Sequence, residues 1–553
     1  MSMRKIHRYF ASLLLALSVA VSGMAQTLNV GGVTMNNDIV GWGDLYELSF
    51  TTHNYGTARS MAMGNAFTAL GADLVSASLN PAGIGMYVNS DFSFSPMIQH
   101  TKSPTKDADD FLSSEFKDKN TRFGFSNLGV VLTTYRGVGA LTNFNIGITY
   151  NRIADFNQNY KFASLGNPAT SSLANLFCEM SNADGLMTNN DGTMPFGNDP
   201  YYWGAVLAYK NGLTNKDAEG WFIDRIGSNA FVDQFTSVET RGSIGEYAFS
   251  FGFNFVDKFY FGVTLGVQSV NYRRNVYYGE NYIYDVFPSG DEMPYQLEYM
   301  NYLQSTTILG TGVNLKLGFT WRPVHWLRIG AAYHTPTGYN LSLQYWGDMW
   351  SETFSAGNNP DGYDVGKNGT FEDYVESPGW EDAGDYAWRV SSPSRFMAGV
   401  AATIGQRLII SADYESSLYN KTRLRGSPIY ELDYREVYNS LFKSSNTVRL
   451  GAEFRLLPAM DIRAGYIWSG SSLNYPDEIY THPVTKSRSY ITAGLGFKLS
   501  NTVNLDLAYQ YGHGKNTLYQ SFYATNDYVK IESVPVTTDT YKHIALLTLG
   551  FRF

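Results

Sequence analysis

Tyr247-Ala248-Phe249-Ser250-Phe251-Gly252-Phe253-Asn254-Phe255 is followed by Val256-Asp257-Lys258 and then by Phe259-Tyr260-Phe261-Gly262-Val263-Thr264-Leu265-Gly266-Val267. Large apolar residues occupy every odd position of both runs, and small or polar residues occupy most even ones. That period of two belongs to a strand with unlike faces. The three residues between the runs predict an antiparallel hairpin. The pattern recurs downstream. Val313 to Trp321 alternates and is answered by Leu327 to Tyr333, and further pairs are Phe396 to Ile404 with Leu408 to Tyr414, Val448 to Leu456 with Ile462 to Trp468, and Ile491 to Leu499 with Val503 to Tyr511. Each pair is joined by a few residues. Between pairs the connections are long and polar, as over 160–239, 273–307, 346–386, 418–443, 470–487 and 513–539.

Adding strands near 91–99, 123–135, 143–158 and 541–553 predicts about fourteen, with short and long connections in alternation, the layout of an outer-membrane barrel. A chain of sandwiches or a propeller would also alternate. There, however, the apolar face packs as a core and the other is rich in Lys and Glu. Here the second face is Gly, Ser, Thr, Asn and Ala, which suits a barrel interior. Trp321, Trp326, Tyr414 and Trp468 fall at strand ends, as an interfacial girdle requires. The expected fold class is therefore all-β, a transmembrane antiparallel barrel of about fourteen strands over 91–553.

Composition agrees with this. Of 553 residues 16% are charged and 15% aromatic, with 41 Tyr, 34 Phe and 53 Gly. Apolar content on this scale excludes a disordered chain. A mean hydropathy of -0.23 and no apolar run of about 18 residues argue against a bundle of transmembrane helices. A formal charge of -9 argues against nucleic acid as a partner, since phosphate backbones need a basic surface. The one Cys, Cys178, permits no internal disulfide and reads as a small buried hydrophobe.

At the amino terminus Arg4, Lys5 and Arg8 precede a short apolar run, Ala11 to Val21, and then Gly23-Met24-Ala25. This predicts a secretory signal peptide over 1–25, because the run is too short to span a bilayer. Its removal takes three positive charges and leaves -12. At the other end Tyr541, His543, Ala545, Leu547, Leu549, Phe551 and Phe553 share one face of a last strand. A terminal Phe on such a strand resembles the assembly signal of bacterial outer-membrane barrels. Phe551 and Phe553 are thus the residues expected to meet the barrel-assembly machinery.

Residues 26–90 do not alternate. Ala58 to Leu70 is small and helix-friendly and ends at Gly71, while Asn80-Pro81-Ala82-Gly83 is turn chemistry. By itself this unit could sit in the periplasm or inside the lumen. Gly56-Thr57-Ala58-Arg59-Ser60-Met61-Ala62-Met63-Gly64-Asn65-Ala66-Phe67-Thr68-Ala69, then Asp73, then Asn80-Pro81-Ala82-Gly83 resembles the opening of the FadL-type outer-membrane transporters of long-chain fatty acids and aromatic hydrocarbons. Tyr333-His334-Thr335-Pro336-Thr337, Pro393-Ser394-Arg395-Phe396, Asp413-Tyr414-Glu415 and Arg449-Leu450-Gly451-Ala452-Glu453 follow in the order of that family. The resemblance implies a partly helical hatch inside the lumen, with Phe67, Asn80, Pro81, Ala82 and Gly83 at the gate. It implies a hydrophobic small molecule captured by external loops and released sideways, where the third strand is kinked, into outer-membrane lipid of a Gram-negative bacterium. The Asp-rich stretch after the opening motif is reduced to Ala72-Asp73-Leu74, and several external loops are long.

No nucleophile motif or phosphate loop appears, and Gly310-Thr311-Gly312 lies inside a strand. No catalytic residue, cofactor or metal is expected, and the eight His show no metal spacing. Asp361, Asp364, Asn368, Glu372 and Asp373 miss the EF-hand order and read as a solvated loop. On the inner face Arg449, Glu453, Arg455, Asp461 and Arg463 cluster on neighbouring strands. They would hold a plug, and Arg449, Arg455 or Arg463 could pair with a fatty-acid carboxylate. The competing readings are a structural or adhesive barrel, a barrel lipase or protease, and a diffusion porin.

Overall fold

The computed structural model describes residues 29–30, 33–35, 48, 54–104, 118–137, 139–183, 203–226, 230–284, 296–354, 369–375, 389–425, 442–474, 484–525 and 530–553. The signal-peptide segment 1–25 lies outside the described residues, as do Asp361, Asp364 and Asn368. Fourteen antiparallel strands close into one barrel. They are β1 (Asp91–Lys102), β2 (Lys119–Arg136), β3 (Leu141–Asp155 and Gln158–Pro168), β4 (Ala230–Phe255), β5 (Phe259–Tyr284), β6 (Gln296–Val324) and β7 (Leu327–His334 and Gly338–Phe354). There follow β8 (Arg389–Ser391 and Arg395–Ile404), β9 (Leu408–Ser417 and Arg423–Arg425), β10 (Ser445–Leu457), β11 (Met460–Ser469), β12 (Val484–Lys498), β13 (Val503–Tyr519) and β14 (Val536–Arg552). Closure is by β14 on β1, with Ala545 opposite Ile98 and Phe551 opposite Phe92.

The period of two sets the faces as expected. Phe249 and Phe251 are each 43% exposed on the outside, whereas Ala248 and Ser250 are fully buried towards the lumen. Leu265, Leu317, Ile329, Val400, Ile410, Leu450, Ile462 and Leu507 continue the outer surface around the wall. A belt of this extent, exposed on every side, is incompatible with a water-facing sandwich and is the lipid surface of a membrane-spanning barrel. The β4–β5 turn uses positive φ at Val256 (50°) and Asp257 (55°), the primed geometry that follows strand twist.

The outer connections differ from the expected polar loops. Much of 273–307 is ladder, since β5 and β6 stay paired out to Asn281 opposite Tyr299. The reason is physical: beyond the lipid no face must be apolar, so the alternation fades while the backbone pairing continues. Inside this outer extension, helices α2 (Leu173–Ala183) and α3 (Trp203–Lys210) bury Phe177, Trp203 and Leu207 against Tyr272, Tyr302 and Leu341. The buried Cys178 belongs to this core, as its composition-based reading expects. The buried carboxylate of Glu280 accepts the first amide of α2, Leu173 N–H, at 2.9 Å and the Ser172 hydroxyl at 2.6 Å. Asn29–Val30 pairs with Val33–Met35, which pairs in turn with Tyr523–Thr525 and through it with Lys530–Glu532, both in the outer connection from β13 to β14.

From Asn54 onward the hatch is described without a break, and this part sits within the barrel. Only Ala58–Ala62 of the expected Ala58–Leu70 helix forms as a helix, α1. Gly64 (φ 60°) and Asn65 (φ 52°) turn left-handed immediately after it, so the helix cannot continue.

Candidate functional site: the hatch seat and the side of the barrel

The Asn80-Pro81-Ala82-Gly83 turn opens a 3-10 helix, Pro81–Met86. Asn80 caps it, accepting from Ala82 N–H at 3.1 Å, and its amide donates to Thr68 O (2.5 Å) and to Phe319 O and Thr320 Oγ1 on β6 (both 3.2 Å). One side chain thus closes the turn, ties two hatch segments together and holds the wall. Gly83 O accepts Ala72 N–H at 3.1 Å, and Phe67 is fully buried with the Arg59 guanidinium 5.6 Å from its ring centroid. Asp73 caps the preceding turn at Val75 N–H (3.0 Å) and accepts the Thr57 hydroxyl (2.7 Å). Burial raises its carboxyl above the ordinary range, against these donors and the Arg59 charge.

Further bonds fix the hatch to strands around the wall. Ser126 on β2 holds Gly56 N–H and C=O (3.0 and 2.7 Å), and Asn145 on β3 donates to Ile84 O (2.7 Å). Ser78 donates to Glu246 on β4 (2.7 Å), a carboxylate that also pairs with the buried Lys316 of β6. Arg328 and His334 on β7 reach Leu70 O (2.7 Å) and Leu79 O (2.8 Å). Asp413 on β9 accepts Thr68 N–H (2.8 Å), and Glu453 on β10 accepts Arg59 Nε (2.9 Å). His334 belongs to a stretch that resembles the family, but its partner could not be read there, because it is a backbone carbonyl 255 residues away.

Between these bonds the wall is made of glycine. On β4, β5 and β6, Gly252, Gly262 and Gly318 lie side by side in register. A Cβ on Gly262 would stand 2.1 Å from Pro81 C, one on Gly318 2.1 Å from Asn80 Oδ1, and one on Gly252 2.3 Å from Gly85 N. Gly330, Gly451 and Gly465 meet Thr68 O, Met63 O and Gly64 N just as closely. The small residues of the inner face are therefore, at this level, a seat moulded to the hatch backbone.

The inner-face arginines are engaged by carboxylates of the wall. Arg449 pairs with Glu415 (2.6 Å), and Arg463 pairs with Glu453 (2.7 Å) and Asp506 (2.5 Å). Arg455 stands 3.5 Å from Asp461 with its side chain 47% exposed. At the terminus Phe551 faces outward beside Phe92, and Phe553 N–H donates to Ser90 O at 3.1 Å. Among the described residues no group of three or more His, Cys, Asp and Glu is placed to hold a metal.

The other element of the site is the break in β3. Pairing of β2 with β3 begins at Asn127 opposite Asn151, so residues 119–126 of β2 pair with β1 alone. Past Asp155 the outer piece of β3 stays on β4 but turns to the lumen side of β1 and β13. There Thr101 Oγ1 donates to Asn157 O (3.2 Å), and Phe162 stacks on Tyr519 at 4.6 Å. Asp155 pins the bend, accepting from Arg152 Nη1 (2.7 Å), Gln99 Nε2 (2.7 Å) and Asn157 N–H (3.1 Å). Opposite the break Gly242 has φ 112°, where only glycine is at ease, and a Cβ there would lie 2.0 Å from Asn271 O. What results is a window between β2 and β3, with Phe123 and Phe125 exposed on its β2 side and bridged by Arg152 Nε, which donates to Phe125 O (3.0 Å). Behind it a cavity of about 110 Å³ is lined by Tyr55, Asp155, Phe156, Arg488, Tyr490 and Lys542, among others. None of the window residues was singled out in the sequence. Gly242, within a polar run, is the one signal that could have marked the break.

No family model and no curated protein matches the chain. Among solved structures, the chain is similar to the Ralstonia pickettii toluene transporter TbuX at 14% identity, covering 91% of this chain and 99% of that one, with a TM-score of 0.49. It is similar to the Pseudomonas putida toluene transporter TodX at 11% identity over the same shares, with a TM-score of 0.49. A Pseudomonas aeruginosa FadL homologue shows 12% identity, again over 91% and 99%, with a TM-score of 0.48.

Proposed function

We propose that the protein carries hydrophobic compounds, of the class of long-chain fatty acids or aromatic hydrocarbons, across the outer membrane of a Gram-negative bacterium without altering them. The observation that carries this reading is the window between β2 and β3 beside an axis closed by the hatch. An apolar solute entering from outside meets the hatch below and an opening to lipid at the side, so lateral exit is the shorter apolar path. Exposed Phe123 and Phe125 give that exit an apolar rim. The cavity behind it has room for only a few water-sized groups, which suits a carboxylate head beside Arg488 and Lys542 better than a whole chain. Axial passage would require displacement of the hatch turn Asn80-Pro81-Ala82, which is the proposed gate.

Filling the window tests this. A Cβ on Gly124 would meet only the end of Arg152, at 3.1 Å, and Met97 at 3.6 Å, so Gly124→Trp would project a ring into the opening with little backbone strain. Uptake of radiolabelled oleate and of toluene into cells should fall for at least one of them, with folded barrel matched by heat-modifiable migration. Unchanged uptake of both would sink lateral release. A chemically altered lipid in the medium would favour the barrel enzyme, and a stoichiometric protein partner with an empty lumen the adhesive reading.

A further inference from the structure

Above the lipid band the outer surface beside the window is unusually cationic. On β4 the unbroken run of outward apolar residues ends at Tyr247, and on β5 at Val267. The outward positions then become Gly245, Ser243 and Arg241 on β4, and Ser269, Asn271 and Arg273 on β5. The register sets Arg241 directly opposite Arg273. Like charges so placed destabilise a strand pair unless an anion lies between them. Arg122 of β2, in register with the buried Gln99, lies on the lumen face of its strand, away from Phe123 and Phe125, and is not part of this outer surface.

Little within the protein offsets this charge. Glu239 pairs with Arg241, and Arg273 Nε donates to the neutral Thr307 hydroxyl at 3.3 Å. The nearby Asp155 is already taken by Arg152, Gln99 and Asn157. On the far side of β1 the outward face is built of Tyr and His rings instead. There Tyr509 Oη lies 2.7 Å from His543 Nδ1, and His513 stacks on Tyr541 at 5.2 Å. The arginines therefore replace, on one flank, an ordinary aromatic girdle.

We propose that Arg241 and Arg273 form a binding site for the phosphorylated headgroup of an outer-leaflet glycolipid, held beside the window between β2 and β3. Guanidinium forks match phosphate oxygens in pairs, and an anion between Arg241 and Arg273 removes their mutual repulsion. The acyl chains of the bound lipid would lie along Phe123 and Phe125. The site does not depend on what passes through the lumen.

The test is native mass spectrometry of the full-length protein in mild detergent, titrated with bisphosphorylated lipid A and with its fully dephosphorylated form. The intact protein should retain the phosphorylated lipid about ten-fold or more better, and the Arg241→Gln/Arg273→Gln double variant should lose about ten-fold of that affinity. Equal retention of the two lipids by the unaltered protein overturns the proposal whether or not the variant folds. So does unchanged retention by a variant that migrates as a folded barrel. Displacement of lipid A by stoichiometric palmitate, with palmitate binding lost in the double variant, also overturns it, since the arginines would then serve a carboxylate.

Discussion

Replacing Gly262 by Val should unseat the hatch while leaving the barrel intact. The Cβ that any other residue carries would stand 2.1 Å from Pro81 C, 2.2 Å from Pro81 O and 2.4 Å from Ala82 N, all of them backbone. Carbon atoms pack at about 3.5–4.0 Å, so the turn must retreat by about 1.4 Å or more. No rotamer change can supply that movement. A shift of that size breaks the Asn80 bonds to Phe319 O and Thr320 Oγ1, which are already 3.2 Å long. Overpacking costs about 1–3 kcal/mol, and each buried polar group left without a partner about 1–3 kcal/mol more. The wall has its own continuous ladder through Gly252, Gly262 and Gly318, so the hatch should yield first. The assay is single-channel recording in planar bilayers. The unaltered protein should be closed, Gly262→Val should open large or flickering channels, and Gly338→Ala, with open space around its Cβ, should stay closed. Closed traces for folded Gly262→Val and Gly318→Val alike would refute the idea that the glycines seat the hatch.

Phe251→Arg, at the middle of the outward run on β4, should cost about 2–4 kcal/mol, and Ser243→Arg, beyond the lipid, no more than about 1 kcal/mol, both read from urea titrations in lipid vesicles. Arg59→Ala removes both hydrogen bonds from the hatch to Glu453 (2.9 and 3.1 Å) and should cost about 1–3 kcal/mol of hatch docking, visible as faster proteolysis within 54–90. Ala82→Trp, which has no space beside β5 and β6, and Asn80→Ala should both change fatty-acid uptake at matched levels of folded barrel. Identical uptake by both variants and the unaltered protein would remove the gate from this turn.

How much of this could be read in advance follows from where each signal is written. Strand existence, the pairing of neighbours and the facing of side chains are local, because lipid outside and lumen inside force unlike faces at a period of two. Hence Phe249 and Ser250 could be assigned to opposite sides before any coordinates. Hatch identity was legible only through the resemblance of 56–83, since a short helix and two tight turns have no period of their own. The outer ladders were missed because water on their outward face asks for no apolar residue, so the pattern that marks a strand in lipid disappears. The rest is decided by contacts between residues far apart in the chain. Glycines that alternate along a strand look like ordinary lumen-facing positions. Only the tertiary structure shows that Gly262 touches Pro81 and Gly318 touches Asn80. His334 reads as one polar residue among many until Leu79 O is placed 2.8 Å from it. The window, too, depends on a ladder that is absent, the one between residues 119–126 and β3. The period of two determined a barrel and the resemblance of 56–83 implied a plug, while the packing of hatch against wall and the bend at Asp155 decided how the two meet. Local periodicity reports the solvent on each face of a strand and carries no information about which distant backbone will be pressed against it.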